Sequence, residues 1–326
     1  MTDAVVLRSL TKTFGELVAV RDLDLTVPQG ALYGVIGPNG AGKTTTIRMM
    51  LSIMFPDRGE VTILGKRSAL EAKDRIGYLP EERGIYRRMK VREFLKYMAS
   101  LKGAEDGTVV RRVDEWLERV GLAAARDKRC EELSKGMQQK VQVLASMIHQ
   151  PDLLVLDEPF SGLDPVNQRL LRDLVLEQHR RGATILFSTH AMIHAEQLCD
   201  QIVMIHQGRK VLDDSLAQIR AQFDPRSLMF EPRDPVADPM RLAELPWVKA
   251  VRREGAAWEV VPDAGVEPSA AFAMLATAMP PARIELRRPT LEDVFVGIVA
   301  GDGTISESEQ ARLREAVRAD TTAETL

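Results

Sequence analysis

The sequence has little cysteine, no long apolar run and almost no net charge. Its two cysteines, Cys130 and Cys199, are far apart, which indicates a reducing compartment without a disulfide framework or a cysteine metal site. No run approaches 18 apolar residues, and the start of the chain lacks a signal pattern, so we expect neither a membrane span nor a leader. A formal charge of −3 gives no general attraction for nucleic acid or anionic lipid. We therefore expect no nucleic-acid partner, and any membrane role must come through a partner protein.

The composition and the pattern of apolar residues are those of a globular α/β protein. The 326 residues are 45% hydrophobic and 28% charged, which suggests one large domain and a smaller one. Apolar strand-like runs alternate with helical patterns over residues 1–222, which favours a mostly parallel sheet. The first two predicted strands are Val5 to Leu10 and Leu23 to Val27, separated by a loop.

Residues 223–300 are richer in proline, and their short elements predict a βαββαβ accessory domain whose first helix is Met240 to Leu245. A last helix would begin after Thr290 as its N-cap, with Asp293 at its third position. Residues 301–326 are polar, and we expect a loosely held tail.

A glycine-rich loop lies between an apolar run and a helical segment. The loop reads Gly37-Pro38-Asn39-Gly40-Ala41-Gly42-Lys43-Thr44 and is followed by Thr45. A strand, a glycine loop and a helix form the context of a phosphate-binding loop, in which backbone N–H groups and the helix N-terminus surround the phosphates. Lys43 would reach the β- and γ-phosphates, and the Thr44 hydroxyl would hold Mg²⁺. The alternative is a glycine turn in an ordinary α/β crossover.

Two carboxylates end a second apolar run. The run from Leu153 to Leu156 is followed by Asp157 and Glu158, and parallel sheets place ligands at the carboxyl ends of their strands. Asp157 would help to hold Mg²⁺. Glu158 would orient and activate a water as a general base. The alternative is a pair of surface acids at a strand end.

Six motifs in order resemble the ATP-binding subunit of ABC transporters, over about residues 4–220. They are Phe14-Gly15, the phosphate loop, Leu133 to Gln138, Leu153 to Glu158, Ser161 to Asp164, and Ser188-Thr189-His190. The resemblance implies a P-loop NTPase core of α/β class, with a mostly parallel sheet, an antiparallel β subdomain and a helical insert at about 85–145. A small α+β C-terminal domain would follow. ATP and Mg²⁺ are the implied ligands.

In that family ATP lies between two subunits, and the resemblance assigns further roles by position. Phe14 matches the aromatic residue that stacks on adenine, although a lone Phe beside Gly is often a core anchor. Ser134 and Gly136 match the signature residues that face the γ-phosphate held by the partner subunit. Asp164 matches the loop that links the two sites, and His190 matches the switch histidine. With Glu158 and Lys43, His190 completes the implied catalytic set.

Two positions depart from the family pattern. Glu81 stands where a glutamine is usual; its carboxylate can still ligate Mg²⁺ but adds negative charge near the triphosphate. The signature reads Ser-Lys-Gly-Met, and Lys135 could face either the partner's phosphates or solvent. Neither change removes the general base, so we expect ATP hydrolysis.

Short strings favour one branch of the family. The segments Glu81 to Tyr86 and Leu291 to Phe295 resemble ATPases that work with ABC-2 type membrane permeases, some of them associated with sodium or drug export. The implied protein is a homodimer or heterodimer on the cytoplasmic face of the membrane, bound to a separate permease. Two alternatives stay open: a soluble ABC ATPase in DNA repair or translation, and a nucleotide-switched regulator without turnover.

Overall fold

The structure is a computed structural model that describes residues 2–82, 84–104, 107–223 and 227–301. The chain divides into two compact units. The first comprises the residues up to Leu216 and those from Phe295 onward, and the second is Ala217–Val294. The sequence prediction placed this division after residue 222 and assigned the whole last helix to the accessory domain. The predicted boundary follows a change in composition, whereas the two units are distinguished by the contacts among their residues. Nearly all of the predicted polar tail, residues 302–326, lies outside the described residues.

An antiparallel sheet opens the first unit. Its strands, in the order β2-β1-β4, are β1 (Asp3–Phe14), β2 (Leu17–Pro28) and β4 (Arg58–Ile63). The sequence predicted only Val5 to Leu10 and Leu23 to Val27 as strands, with a loop between them. The structure corrects this to a long hairpin whose register shifts several times. Those shifts interrupt the alternation of apolar and polar residues, so periodicity alone missed the strand ends.

The central sheet of the first unit is mostly parallel. Its order is β5-β6-β7-β3-β8-β9, made of β3 (Leu32–Ile36), β5 (Ile76–Leu79), β6 (Leu153–Asp157), β7 (Thr184–Thr189), β8 (Gln201–His206) and β9 (Arg209–Ser215). Only the β8–β9 pair is antiparallel. Every residue of β3, β6 and β7 is buried, as expected for strands covered on both faces. Their carboxyl ends therefore meet at one edge.

Helices connect these strands. They are α1 (Lys43–Met50), α2 (Val91–Ser100), α3 (Gly107–Arg119), α4 (Lys135–Met147), α5 (Pro165–Arg180), α6 (Met192–Leu198) and α7 (Leu216–Gln222), with short 3₁₀ turns at Ala69–Arg75, Ala123–Ala125 and Cys130–Glu132. The second to fourth of them form a helical segment between β5 and β6, where the insert was predicted. Within the described ranges, no helix combines the length and the apolar character that a membrane span needs.

The second unit is a four-stranded antiparallel sheet with one α-helix between its last two strands. The strands are β10 (Leu228–Pro232), β11 (Val248–Glu254), β12 (Ala257–Pro262) and β13 (Pro281–Leu286), in the order β11-β12-β10-β13, and the helix is α8 (Pro268–Ala278). Phe230, Val260 and Leu275 are at the centre of its core. The predicted helix from Met240 to Leu245 is instead a 3₁₀ turn, Pro239–Glu244, which is the usual form for so short a segment.

The last helix, α9 (Leu291–Gly301), begins with a reciprocal cap. The Asp293 N–H donates to Thr290 Oγ1 at 3.1 Å, and the Thr290 N–H donates to Asp293 Oδ2 at 3.2 Å. The sequence predicted Thr290 as the capping residue of this helix, and the hydrogen bonds agree with that prediction.

Candidate functional site

The glycine loop connects β3 to α1, and the fold requires glycine at two of its positions. Gly37 has φ +152°, and a Cβ there would lie 2.2 Å from the Ile205 carbonyl oxygen. Gly42 caps α1 with φ +105°, and a Cβ there would lie 2.5 Å from the Ala19 carbonyl oxygen. Both contacts are shorter than real side chains allow, so the loop packs this closely only because these residues have no side chain.

Lys43, the first residue of α1, turns back over the loop. Its side chain is buried, and its ammonium donates to the Gly37 carbonyl at 2.8 Å and to the Pro38 carbonyl at 3.3 Å. The same nitrogen lies 3.4 Å from Glu158 Oε1. A buried ammonium needs such partners because burial without them is costly. The charge of Lys43 is therefore held between the loop and the end of β6.

Thr44 and Asp157 meet at the N-terminus of α1. The Thr44 hydroxyl donates to Asp157 Oδ1 at 3.2 Å, and the Ser188 hydroxyl donates to the same oxygen. Burial raises the pKa of Asp157, and these two hydrogen bonds oppose that shift. The second oxygen, Oδ2, is buried and accepts no hydrogen bond from the described residues. A buried carboxylate oxygen with no donor beside a hydroxyl is a donor set that suits a hard divalent cation.

Glu158 turns away from the strand direction. Its φ is +48°, in the left-handed region, which is unfavourable for a residue with a side chain. In a continuing strand, Asp157 and Glu158 would point to opposite faces. The left-handed turn instead brings both carboxylates to α1: Asp157 to Thr44, and Glu158 to Lys43. Strain at this residue thus serves the geometry of the site.

His190 follows β7 and contacts the same glutamate. Its Nδ1 lies 3.0 Å from Glu158 Oε2, and both side chains are largely buried. The Glu158 backbone N–H donates to Ser188 Oγ at 3.2 Å. Glu158 is therefore positioned by Lys43 on one side and by His190 on the other. A carboxylate held this way can accept a proton from a water in the adjoining cleft.

A cleft of about 830 Å³ lies in front of these residues. Its lining contains Phe14, the loop from Asn39 to Thr45, Glu81, Glu158 and Gly208. The lining also includes Glu16 to Ala19, Arg21 and Gln207. Its volume is in the range of pockets that take a molecule of nucleotide size. The structure thus brings most of the predicted nucleotide-binding residues to one cavity.

Phe14 lies at the end of β1 and is 46% exposed, so it is not a core anchor. The Lys12 ammonium lies 5.7 Å from the centre of its ring. Lys12 also donates to Asp57 Oδ1 at 2.8 Å, while the Thr13 N–H donates to Asp57 Oδ2 at 2.7 Å. These contacts fix the end of β1. The aromatic ring is then available at the cleft for stacking on a base.

Glu81 follows β5 and Pro80, is exposed, and lines the cleft. Glu81 thus lines the same cavity as Thr44 and Glu158, which are distant from it in sequence. Its role at a metal site stays a prediction. The next residue, Glu82, is not part of the cavity lining. Its Oε1 lies 3.7 Å from Nη2 of Arg48 on α1.

Three predicted site residues lie elsewhere in the first unit. Ser134 caps α4 by accepting from the Met137 N–H at 3.3 Å, and Gly136 lies in the first turn of that helix. Asp164 caps α5 by accepting from the Val166 and Asn167 N–H groups. None of the three lines the cleft formed by the described residues. A Cβ at Gly136 would have the Asn167 amide as its nearest neighbour, at 3.9 Å.

Sequence reasoning missed three positioning residues. Ser188 was noted only as part of a motif, and its bonds to Asp157 and to the Glu158 backbone were not foreseen. Lys12 and Asp57 were not singled out at all. Nothing local in the sequence marks the Lys12–Asp57 pair, because 45 residues separate its members.

The comparisons with known proteins agree with this geometry. A family model described as ABC transporter matches residues 20–161. The chain is 40% identical over 296 residues to the ABC transporter ATP-binding protein YhaQ of Bacillus subtilis (strain 168), covering 88% of this chain and 95% of the relative. It is 38% identical over 205 residues to the ABC transporter ATP-binding protein NatA of the same organism, covering 62% and 83%.

A further relative is the bacitracin transport ATP-binding protein BcrA of Enterococcus faecalis, which is 36% identical over 65% of this chain and 69% of the relative. Among solved structures, the ATP-binding subunit of an ABC transporter superposes with a TM-score of 0.64 at 33% identity, over 68% of this chain and 93% of the other. The predicted α/β class with a P-loop NTPase core is confirmed. The chain belongs to the family of ABC transporter ATP-binding proteins.

Proposed function

We propose that this protein binds and hydrolyses MgATP as the ATP-binding subunit of an exporter, and that closure of an ATPase dimer is coupled to a separate membrane permease. The observation that carries the proposal is a connected group of side chains at the nucleotide-sized cleft. Lys43, Thr44 and Glu158 line the cleft, and Lys43 pairs with Glu158. Asp157 contacts Thr44, and His190 contacts Glu158. Ordinary surface acids at a strand end would not be buried and aimed at a phosphate-loop lysine.

The residues present fit ATP and Mg²⁺. Phe14 offers a ring for adenine at the cleft, and the backbone of the glycine loop and Lys43 would hold the phosphates. Thr44, Asp157 and Glu81 would hold Mg²⁺, and Asp157 Oδ2 supplies an oxygen that accepts no hydrogen bond from the described residues. The metal ion would supply charge neutralisation at the phosphate oxygens.

Glu158 would act as the general base. One carboxylate oxygen is 3.4 Å from the Lys43 ammonium and the other is 3.0 Å from His190 Nδ1. A water in the cleft would give its proton to this carboxylate as the water oxygen attacks the γ-phosphorus, and the bond from phosphorus to the ADP oxygen would break. His190 would hold Glu158 in place and contact the γ-phosphate.

The position of Ser134, Gly136 and Asp164 supports a dimer. Since neither Ser134 nor Gly136 lines the cleft of its own subunit, their predicted contact with a γ-phosphate would be made to a second ATPase subunit, identical or different. Asp164, predicted to link the two sites, lies outside that cleft as well. The chain's own cleft would likewise need the signature residues of that partner. ATP would then hold the two subunits together, and hydrolysis would release them.

The partner in the membrane would be an ABC-2 type permease. The ABC-2 type is proposed from the resemblance of the segments Glu81 to Tyr86 and Leu291 to Phe295 alone. The names of the relatives support transport or export in general: they include a bacitracin transport protein, NatA, and a Nod factor export protein of Cupriavidus pinatubonensis that is 36% identical over 216 residues. We place the protein on the cytoplasmic face of the membrane through this partner. Purification from membranes, with identification of the attached subunit, tests this part of the proposal.

Glu158→Gln tests the enzymatic part. The amide keeps the size of the side chain but cannot accept the proton, so steady-state phosphate release should fall about 10²–10⁴-fold, the usual contribution of a positioned base. ATP binding should persist, and the ATP-bound variant should elute as a dimer. The matched control is Glu177→Gln, which removes an exposed carboxylate paired with Arg119 and should hydrolyse ATP normally.

The outcomes separate the alternatives. Parental turnover by Glu158→Gln would remove Glu158 from the role of base. If the parental protein bound ATP and dimerised but released no phosphate, the nucleotide-switched regulator would be the better description.

A further inference from the structure

A second, smaller cavity lies between α5 and α6, apart from the nucleotide cleft. Its volume is about 230 Å³. Its lining consists of Phe160, Pro165, Gln168, Arg169, Arg172, His194, Gln197 and Leu198. No residue of that lining is shared with the nucleotide cleft. The proposed function assigns a task to none of these eight side chains.

The cavity collects positive charge without an acid in its lining. Arg169 and Arg172 are three positions apart on α5, so they lie on neighbouring parts of one helix face. Arg172 donates to the amide oxygen of Gln197 at 3.2 Å, a neutral partner that leaves its charge uncompensated. Among the described residues, neither arginine has a carboxylate within 4.0 Å of its guanidinium. For comparison, Arg119 of α3 forms an ion pair with Glu177 of α5.

The walls of the cavity are partly apolar. The His194 ring stacks on Phe160, with ring centres 4.6 Å apart and an interplanar angle of 30°. Burial lowers the pKa of His194, so at neutral pH the ring is mostly uncharged. Pro165 and Leu198 complete the apolar part of the wall. Clefts with charge of one sign and walls of low dielectric concentrate the field and raise the local concentration of counter-ions.

Asp164 precedes Pro165 of the lining but is not itself part of the lining. Its carboxylate already accepts hydrogen bonds from the backbone of Val166 and Asn167 at the start of α5, and those bonds lower its pKa. The remaining polar groups of the cavity are the side chains of Gln168 and Gln197, which can donate from their amide nitrogens. Two guanidinium groups and two amides are the donors that proteins use for oxyanions.

We propose that the cavity between α5 and α6 is a binding site for a small dianionic oxyanion of the phosphate type, held by Arg169 and Arg172. The size of the cavity favours a free small anion, because 230 Å³ is well below the 830 Å³ of the nucleotide cleft. It holds an inorganic phosphate and a few waters but not a nucleotide. The site does not depend on the proposed ATPase function.

The position of the cavity connects it to the nucleotide site. Phe160, which forms one wall, is two residues after Glu158, and His194 is four residues after His190. An anion in the cavity therefore lies against the segments that carry the proposed base and its histidine. Anion binding in the cavity would therefore affect the positions of Glu158 and His190 through these two short segments of chain.

Titration with inorganic phosphate tests the proposal. The Lys43→Ala protein is used as the parent so that the phosphate loop contributes little, and binding is measured by calorimetry or by ³¹P line broadening at fixed ionic strength. The double variant Arg169→Gln, Arg172→Gln in this parent should bind phosphate at least about tenfold more weakly, since each lost charged hydrogen bond is worth more than 1 kcal/mol. Sulfate should compete with phosphate, and chloride at equal ionic strength should not.

The matched control is Arg180→Gln, on the same helix but outside the cavity lining, which should leave phosphate binding unchanged. The variants should show the same thermal unfolding as the parent, because Arg169 is exposed and Arg172 only half-buried. Equal phosphate affinity in the double variant and the Arg180 control would overturn the proposal. So would the absence of phosphate binding by the Lys43→Ala parent.

Discussion

By our proposal the chain contributes two half-sites: the phosphate loop with the side chains around it, and the signature segment at the start of α4 together with Asp164. Glycine is present in each of them for a different reason. In the phosphate loop, Gly37 and Gly42 are required by the subunit's own fold, since a side chain at either would collide with backbone carbonyls. At the start of α4, Gly136 has no such constraint: its nearest neighbour would be an amide nitrogen at 3.9 Å, and no positive φ is found there. If glycine is needed at Gly136, the need must come from another molecule.

The charges of the two half-sites differ in the same way. Lys43, Asp157 and Glu158 are buried and contact other residues of the site. Ser134, Lys135 and Asp164 are exposed. The first half-site is therefore held together by its own buried contacts, whereas the second is a pair of exposed helix caps. By our proposal the second would become functional only against a partner subunit. Variants at the two places should fail for different reasons.

The largest effect on ATP affinity should come from Lys43→Ala. The substitution removes the one buried ammonium of the phosphate loop and leaves Glu158 without its ion pair. A charged hydrogen bond to a phosphate is worth about 3 kcal/mol, so ATP affinity should fall about a hundredfold. Titration with a fluorescent ATP analogue measures this. Lys66→Ala, at an exposed lysine, serves as the control, and an unchanged affinity in Lys43→Ala would place the phosphates elsewhere.

Gly136→Asp should break the second half-site without harming the fold. A Cβ at Gly136 would have only the Asn167 amide nitrogen near it, at an ordinary contact distance of 3.9 Å, and an acid in the first turn of a helix is favourable. Thermal unfolding and ATP binding by the monomer should be unchanged, while turnover falls at least about tenfold because the new charge repels the partner's triphosphate. Gly42→Ala is the contrast, since it should lower stability itself.

Full activity in Gly136→Asp would contradict the comparison between the half-sites. A loss of stability in Gly136→Asp would also contradict it, because the structure shows no collision there.

Mixing two inactive variants sharpens the comparison. Lys43→Ala keeps an intact signature, and Gly136→Asp keeps an intact phosphate loop. A mixed dimer has one site built from the two intact halves and one site with both halves damaged. With random pairing and independent sites, an equimolar mixture should recover about a quarter of parental turnover, since half of the dimers are mixed and each has one working site. Phosphate release by the mixture is compared with that of each variant alone.

If the mixture recovered no turnover, either both halves act within one subunit, or the two sites of a dimer must hydrolyse ATP together. Mixing the parent with Lys43→Ala separates these outcomes. With random pairing, turnover should fall in proportion to the parental fraction if each subunit works alone, and with the square of that fraction if both sites of a dimer must work together.

The parts of the first half-site could be picked out from the sequence because each of them is short and contiguous. A glycine loop after an apolar strand, and two carboxylates after another, each carry their context within ten residues. The sheet then brings them together, because the carboxyl ends of parallel strands meet at one edge. The second half-site was identified by resemblance only, since Ser134 and Asp164 would otherwise be ordinary helix caps.

Long-range contacts were beyond local reasoning. The Ser188 bond to Asp157 joins two strands 31 residues apart, and the Asp57 contacts join β1 to the segment before β4. The bulged hairpin of β1 and β2 was underestimated for a related reason, since its register is set by pairing rather than by periodicity.

The smallest effect should come from the support of Phe14. Asp57→Asn removes the ion pair with Lys12 and weakens the bond from the Thr13 N–H, both at an exposed site. Exposed pairs contribute little, so ATP affinity should fall only about threefold. Inorganic tripolyphosphate, which has no base to stack, should bind the variant as it binds the parent. A larger loss, or an equal loss for tripolyphosphate, would show that Asp57 supports the phosphate loop instead of the base-stacking residue. The first half-site would then be less self-sufficient than its buried contacts indicate.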